Sequence, residues 1–325
     1  MNKKILKEAI IYAARNKLDK ELDNSSSGAI FPLLANNFIS KGYGVVSAFY
    51  NYDNNKVEYK IFFDLEDLNM ARGSKYISSS PNNILKEITQ YLKTNINKKI
   101  MIFALRCHIA GFKSFLDRIN LSSRCIFVDI ICHGSASGLI WEKYISVLEK
   151  KYNNKVSYIN FKDKRKGWLN PTAFVKINNS EILIKKYTKL FYDGIIMRLS
   201  CYKCPYCSID STSDITIGDY WGIENAHPEM YSKKGTSLVI LHTEDGIKIF
   251  EEIKADISYV LSDKYKCLQP HLIKPLNKPI KRKIFWKDYN EKGIIYVLNK
   301  YGKKTLREKI NIIKNKILIK IKGII

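Results

Sequence analysis

A chain of 325 residues that is 46% hydrophobic and 12% aromatic can bury a sizeable core and is too apolar to be disordered. A formal charge of +24 invites a nucleic-acid partner, yet residues 281–325 alone hold 14 Lys or Arg against 3 acidic residues, and no helix-turn-helix, zinc-finger, RNP or KH signature accompanies them, so nucleic acid is set aside. No signal-peptide core lies in residues 1–20, no apolar run reaches the roughly 18 residues of a membrane span, and the 7 cysteines are an odd number, which together point to a cytoplasmic protein with reduced thiols.

In chain order, Ile5, Ala9, Tyr12 and Ala13 recur at helical intervals and predict a helix over 5–16. Ser25-Ser26-Ser27-Gly28 then precedes an apolar-periodic segment through Leu33, Leu34, Phe38 and Ile39 that stops at Gly42. Such a segment either caps its helix or holds an anion there, and the cap is the commoner case. Residues 44–50 and 57–63 read as paired strands. The polar loop Arg72-Gly73-Ser74-Lys75-Tyr76 suits a phosphate or a solvated turn.

Residues 84–92 look helical, and Lys99–Leu105 is a continuous apolar strand ending at Arg106-Cys107-His108, where another helix begins. The pattern repeats at Cys125–Ile131, which ends at Cys132-His133-Gly134. Open sheets place ligands at the carboxyl ends of such strands. The matched positions of Cys107 and Cys132 favour ligation, whereas Cys125 inside the strand reads as structural. Further on come a helix over 141–152, strands over 157–161, 174–177 and 237–242, and a helix over 246–254. Strands alternating with helices predict an α/β (α+β) fold, a mixed sheet with flanking helices and a cofactor site at strand ends.

The most informative stretch is Arg198-Leu-Ser-Cys201-Tyr-Lys-Cys204-Pro-Tyr-Cys207, followed by Ser213-Asp-Ile-Thr-Ile-Gly-Asp-Tyr-Trp-Gly222. Three cysteines spaced by three can aim at least two thiolates at one centre, from a loop that runs into a short strand. A lone Cys-x-x-Cys also serves zinc knuckles and redox pairs. Asp214, Asp219 and Trp221 read as braces for this loop rather than as catalytic groups.

Taken together and in order, Ser25–Gly28, Gly73–Tyr76, Cys107–Gly111, Ile131–Gly134, Phe161–Lys164 with Gly167-Trp168, Cys201-x-x-Cys204 and Ser213–Gly222 resemble the beta-subunit family of coenzyme F420 hydrogenases and dehydrogenases. The likeness is to the bacterial branch found among capsule and exopolysaccharide genes. It implies a 4Fe-4S cluster on Cys107, Cys132, Cys201 and Cys204 beside an FAD. It also implies flavin contacts from Ser25, Ser26, Ser27, Gly28, Ser74, Lys75 and Tyr76, with Lys162 and Lys164 as further anion contacts. The implied activity is an oxidoreductase passing electrons between a donor, such as a ferredoxin or a reduced flavin or deazaflavin, and a small molecule, with a sugar intermediate of polysaccharide synthesis as one candidate.

This sequence departs from the family's pattern. No cysteine precedes Cys107, where many relatives carry a ferredoxin-like segment, so the electrons are expected from a separate donor. Arg106 stands where the branch usually has Pro and should favour a more negative cluster. His108 replaces Gln, and Ala29 replaces Gly and should tighten the flavin's seat. Cys207 reads as a spare thiol, with replacement ligand as the alternative. Residues 1–280 are expected to form the iron-sulfur flavoprotein domain and 281–325 a basic helical tail. In that tail, Leu306, Ile310, Ile313, Ile317 and Ile321 fit an amphipathic helix that either lies on an anionic membrane surface or packs on its own domain. The competing reading of the whole is a non-catalytic capsule-biosynthesis protein with four Cys on a structural metal.

Overall fold

The computed structural model describes residues 4–303. Its strands are β1 (Ile5–Asn16), β2 (Gly44–Asn51), β3 (Lys56–Phe62), β4 (Ser79–Ser80), β5 (Ile100–Leu105), β6 (Cys125–Ile130), β7 (Tyr158–Asp163), β8 (Thr172–Ile177), β9 (Ser180–Leu183), β10 (Ile215–Asp219), β11 (Ser237–Thr243) and β12 (Ile257–Ser262). One mixed sheet has the order β12-β1-β11-β10-β6-β5-β2-β3-β4, and β7-β8-β9 form a small separate sheet. The central four, β10, β6, β5 and β2, run parallel, with antiparallel strands on either side.

Parallel strands are covered on both faces, and the period-two alternation of side chains decides which core each residue enters. Met101 and Phe103 of β5, with Ile126 and Val128 of β6, pack on the helices Ile30–Ser40 and Glu244–Ile253. Ile100, Ile102 and Ala104, with Cys125 and Phe127, pack on the helices Ile84–Thr94 and Arg106–Arg118. The apolar runs in the sequence are therefore strands buried on both sides, and Cys125 is a core residue. A further core joins the small sheet to the helices Gly138–Tyr152 and Lys185–Tyr192 through Trp141, Phe161, Val175 and Tyr187.

The segment 5–16, expected as a helix, is instead the twelve-residue strand β1, bonded antiparallel to β11 and β12. The apolar run from Ala9 to Ala14 satisfies helical spacing only because nearly every position in it is apolar. With a strand available on each side, the extended form satisfies all of its backbone groups, and Ala13 and Ala14 are fully buried. The helix Arg282–Tyr301 is broken at Gly293 (φ 75°, ψ −177°), and its Phe285, Val297 and Leu298 enter the core around Trp141. The amphipathic segment from Leu306 to Ile321 lies outside the described residues. Among those described, no helix is long and apolar enough to cross a membrane.

Gly28 shows how tightly the sheet meets the serine loop. Its N–H donates to Ser237 Oγ at 2.9 Å, and its carbonyl accepts from Asn16 N at 2.8 Å. A Cβ there would stand 2.5 Å from Ala14 O and 2.6 Å from Ser237 N, both backbone atoms that cannot swing aside. Gly28→Ala should lower the free energy of unfolding by about 3 kcal/mol. Chemical denaturation reads this, and an unchanged midpoint would contradict the packing described.

Candidate functional site

The thiols converge because of strand register. Leu105 of β5 pairs with Ile130 of β6, so Cys107 and Cys132 each lie two residues beyond the same rung of the sheet. Cys107 falls in the first turn of the helix that starts at Arg106, where backbone N–H groups and the helix dipole favour a thiolate. Cys132 opens the loop that leads to Gly134, whose φ of 149° lets the chain turn against Met197. This loop runs beside the third cysteine-bearing segment. Arg198 N donates to Ser135 O at 2.9 Å, Ser137 N to Ile196 O at 2.9 Å, and Ser135 N to Cys201 Sγ at 3.3 Å. Cys201 itself sits in a single 3-10 turn, Leu199–Lys203, with Cys204 just after it.

The four sulfurs lie within electrostatic reach of one another. Burial pushes the Cys132 thiol up to about 12, and the charges of Cys107, Cys201 and Cys204 push the same way against the Gly134 N–H. Burial also raises Cys107, with Cys204 and Cys201 as the next causes. Cys207 is pushed to about 11 by burial and by Cys204. Among the described residues, no three His, Cys, Asp or Glu side chains stand close enough to share one metal ion.

One buried cation locks this arrangement. Arg106 Nε donates to Asp129 Oδ1 at 3.2 Å, Nη2 to Thr216 Oγ1 at 3.1 Å, and Nη1 to the carbonyls of Tyr206 (3.2 Å) and Ser208. Asp129 also accepts from Ser211 and from Ser213 Oγ at 2.8 Å. Thr216 Oγ1 meets His242 Nε2 at 2.8 Å, and burial holds His242 down at about 4, hence neutral. The charge of Arg106 is paired with Asp129 and its N–H groups tie the Cys207 loop to β6 and β10, while its field still pulls the Cys207 thiol downward. The Asp214 carboxylate fixes strands rather than the cysteine loop: it accepts from Phe127 N of β6 and Thr243 Oγ1 of β11, both at 2.8 Å.

A cleft of about 1000 Å³ opens between the small sheet and the loops at 20–26 and 65–75. That is the upper end of the size range of small-molecule sites. Ser25, Ser26, Ser74, Lys75, Lys162 and Lys164 all line it. Ser74 N and Ser74 Oγ both bond Ser26 Oγ at 2.8 Å, which joins the two predicted loops into one wall. The cleft is cationic, with Lys20, Arg72, Lys75, Lys162, Lys164, Arg165, Lys233 and Lys234 against Glu21, Asp23 and Asp163. Tyr50, Tyr52, Tyr158 and Phe161 supply aromatic surface. A smaller hollow of about 490 Å³, lined by Lys86, Lys93 and Phe115 among others, contains none of the predicted residues.

Three predicted contacts lie outside the lining. Ser27 Oγ donates to Thr236 O at 3.0 Å, Gly28 packs on the sheet, and Tyr76 stacks on Phe191 at 4.4 Å. The serines do not cap the following helix either. It starts from Ala29, in the left-handed region at φ 58° and without a side-chain cap, which accounts for a glycine being usual there. Lys164 Nζ donates to Leu22 O at 2.6 Å, Ser27 O at 3.3 Å and Lys234 O. Lys75 Nζ donates to Ala71 O at 2.6 Å, Arg72 O at 3.0 Å and Gly73 O at 3.1 Å. Burial pulls Lys75 down to about 7 and Lys164 to about 8. Lys162 is ion-paired with Asp219, which also accepts the indole N–H groups of Trp168 and Trp221, each at 3.3 Å.

Aromatic rings link the cleft to the thiols. Phe161 lines the cleft 5.7 Å from Tyr76, Tyr76 stacks on Phe191, and Phe191 is 5.2 Å from His133, the neighbour of Cys132. His133 Nδ1 stands 2.9 Å from His271 Nε2, and among the described residues His271 Nδ1 has no hydrogen-bond partner. His271, Asp129 and His242 escape a reading of the sequence, because no local motif marks them.

The family model for the C terminus of the coenzyme F420 hydrogenase/dehydrogenase beta subunit matches residues 97–265. The chain belongs to that family. The matched span, just over half the chain, contains all four thiols and the Arg106 network, whereas the serine loop precedes it. Among solved structures, the chain is similar to one in the xenon-derivatised F420-reducing [NiFe] hydrogenase complex from Methanosarcina barkeri. The TM-score is 0.51 and the identity 20%, over 79% of this chain and 82% of that one, a likeness of fold. No curated protein matches. The beta-subunit family membership places the chain among redox proteins related to hydrogenase subunits.

Two outcomes follow from the geometry. Arg106→Ala should destabilise the fold by about 3 to 5 kcal/mol, because it leaves Asp129 buried without its cation; thermal and chemical unfolding measure it. Lys75 and Lys164 lose their protons as pH rises through about 7 and about 8, so the cleft becomes less positive over that interval. Affinity for a fluorescent sulfonate probe, whose charge is constant over that range, should fall roughly tenfold between pH 6 and 9, the factor that 1.4 kcal/mol carries. Fluorescence titration reads it, and Lys75→Met should abolish the lower step.

Proposed function

We propose that this protein is an iron-sulfur flavoprotein that passes electrons between a one-electron donor and a small molecule bound beside the flavin. What supports the reading is that Cys107 and Cys132 follow the paired ends of β5 and β6, with Cys201 and Cys204 within electrostatic reach of both. Four thiolates are the normal complement of a 4Fe-4S cluster. Cys207, flanked by the Tyr206 and Ser208 carbonyls that Arg106 holds, is taken as the spare thiol.

The flavin reading rests on the cleft's volume, its excess of cations and its paired serines. A bound flavin supplies the exchange between hydride and single-electron chemistry, and a cluster moves one electron at a time. The residues of this chain bind and orient. Ser26 and Ser74 would present hydroxyls to the flavin, Lys75 and Lys164 would add positive potential from within the wall, and Tyr50, Tyr52 and Phe161 would offer flat apolar surface. Lys162, held by Asp219, lies in the cleft wall. Phe161, Tyr76 and Phe191 fill the space between the cleft and His133 with aromatic rings.

Anaerobic purification tests this directly. The protein should be brown and carry about four irons and four labile sulfides, and FAD should restore a flavin absorption band. Cys132→Ser or Cys201→Ser should abolish iron binding, and Cys207→Ser should leave it intact. A colourless protein with one zinc would instead identify a structural metal site.

A further inference from the structure

We propose that the exposed face around Cys107, built from the Arg106–Arg118 helix, the neighbouring Ile84–Thr94 helix and the loop 198–206, docks a small acidic protein that carries single electrons. The inference rests on the cluster reading above and names the surface and the partner that serve it. Of the four cysteine residues, Cys107 is the one most open to solvent, its thiol still partly desolvated, and the other three are more deeply placed. Electron tunnelling falls off steeply with distance, so the most open ligand marks the side from which an electron enters.

The face is shaped for contact. Cys107, Gly111 and Phe115 follow one another at intervals of four and share one side of their helix, over about 12 Å. A Cβ at Gly111 would meet nothing within 4 Å, so the backbone is open to close approach one turn from Cys107. Phe115 forms one wall of the 490 Å³ hollow, with Lys86 and Lys93 at its sides. Across from it, Arg106 holds the Tyr206 carbonyl at 3.2 Å and so seats the loop 198–206 against the start of the same helix. Leu199, 61% exposed, and Tyr206 project from that loop, with Arg198 and Lys203 exposed beside them.

An apolar centre with a charged rim is the usual anatomy of a specific but transient interface. Here the rim is cationic: Lys86, Lys93, Arg118, Arg198 and Lys203 outnumber the exposed acids Glu87, Asp117 and Asp210. That charge complements an acidic partner and speeds its approach. It disfavours a second copy of this chain, which brings +24 of its own. In the transfer, the reduced carrier gives up one electron and the group held by the four thiolates gains it; no bond forms or breaks and no proton moves.

The test uses the full chain and an acidic plant-type 2Fe-2S ferredoxin as probe, with affinity measured by calorimetry at about 20 and about 200 mM salt, which brackets strong and weak screening. The Lys86→Glu/Lys93→Glu and Arg198→Glu/Lys203→Glu variants should each bind at least roughly tenfold more weakly at low salt and lose most of the salt dependence. Lys56→Glu/Lys248→Glu, an equal charge change elsewhere, should weaken binding far less. Equal weakening by all three variants, or no binding by the unmodified protein, overturns the proposal. So does a dimer of the unmodified protein that the face variants dissolve, because the face would then belong to a second copy. Iron content, measured on the same samples, separates the two readings. Selective loss of binding in iron-free protein keeps the docking face and sinks the cluster, and full iron content without selective loss does the reverse.

Discussion

The buried pair of Arg106 and Asp129 is the contact on which the site depends. Both side chains are almost wholly withdrawn from water, so each charge would be costly without the other. The guanidinium fork then bonds Thr216 on β10 and two carbonyls of the cysteine loop, and the carboxylate bonds two serines that lead into β10. One ion pair thereby fixes the ends of two parallel strands and the loop that carries Cys204 and Cys207. His242 joins through Thr216 in its neutral form, so the cluster of polar groups stays balanced in charge.

Much of this architecture was legible in the sequence. The runs Ile100–Leu105 and Cys125–Ile130 could be read as buried strands because continuous β-branched and aromatic residues have few other places to go. The thiols that follow them were legible because strand ends converge in a parallel sheet. The same local logic misplaced residues 5–16, where a run apolar at nearly every position fits either period and only the availability of β11 and β12 decides. The ion pair of Arg106 was not legible for a related reason. Its partner Asp129 is 23 residues away, and adjacency to Cys107 says nothing about where a long side chain turns.

The serine loop illustrates a different limit. Ser25–Gly28 ahead of an apolar helix looks like a capping sequence, yet the hydroxyls turn across to Ser74 and Thr236 instead. Long-range partners satisfied those oxygens first, and the helix began on a residue with a left-handed backbone. His271 could not be found from sequence at all, since its meaning comes from His133, which lies 138 positions earlier and is brought to it by the fold.

The cleft has walls from two sheets that share no strand: β7 contributes one side, and the loops attached to the larger sheet contribute the other. Whatever fills it therefore fastens the two together and favours the native state over the unfolded one by mass action. Heat resistance of this molecule becomes a property of its occupant's concentration as much as of its own packing. A cell that runs short of that occupant would hold less of the folded protein, without any change in how much is made.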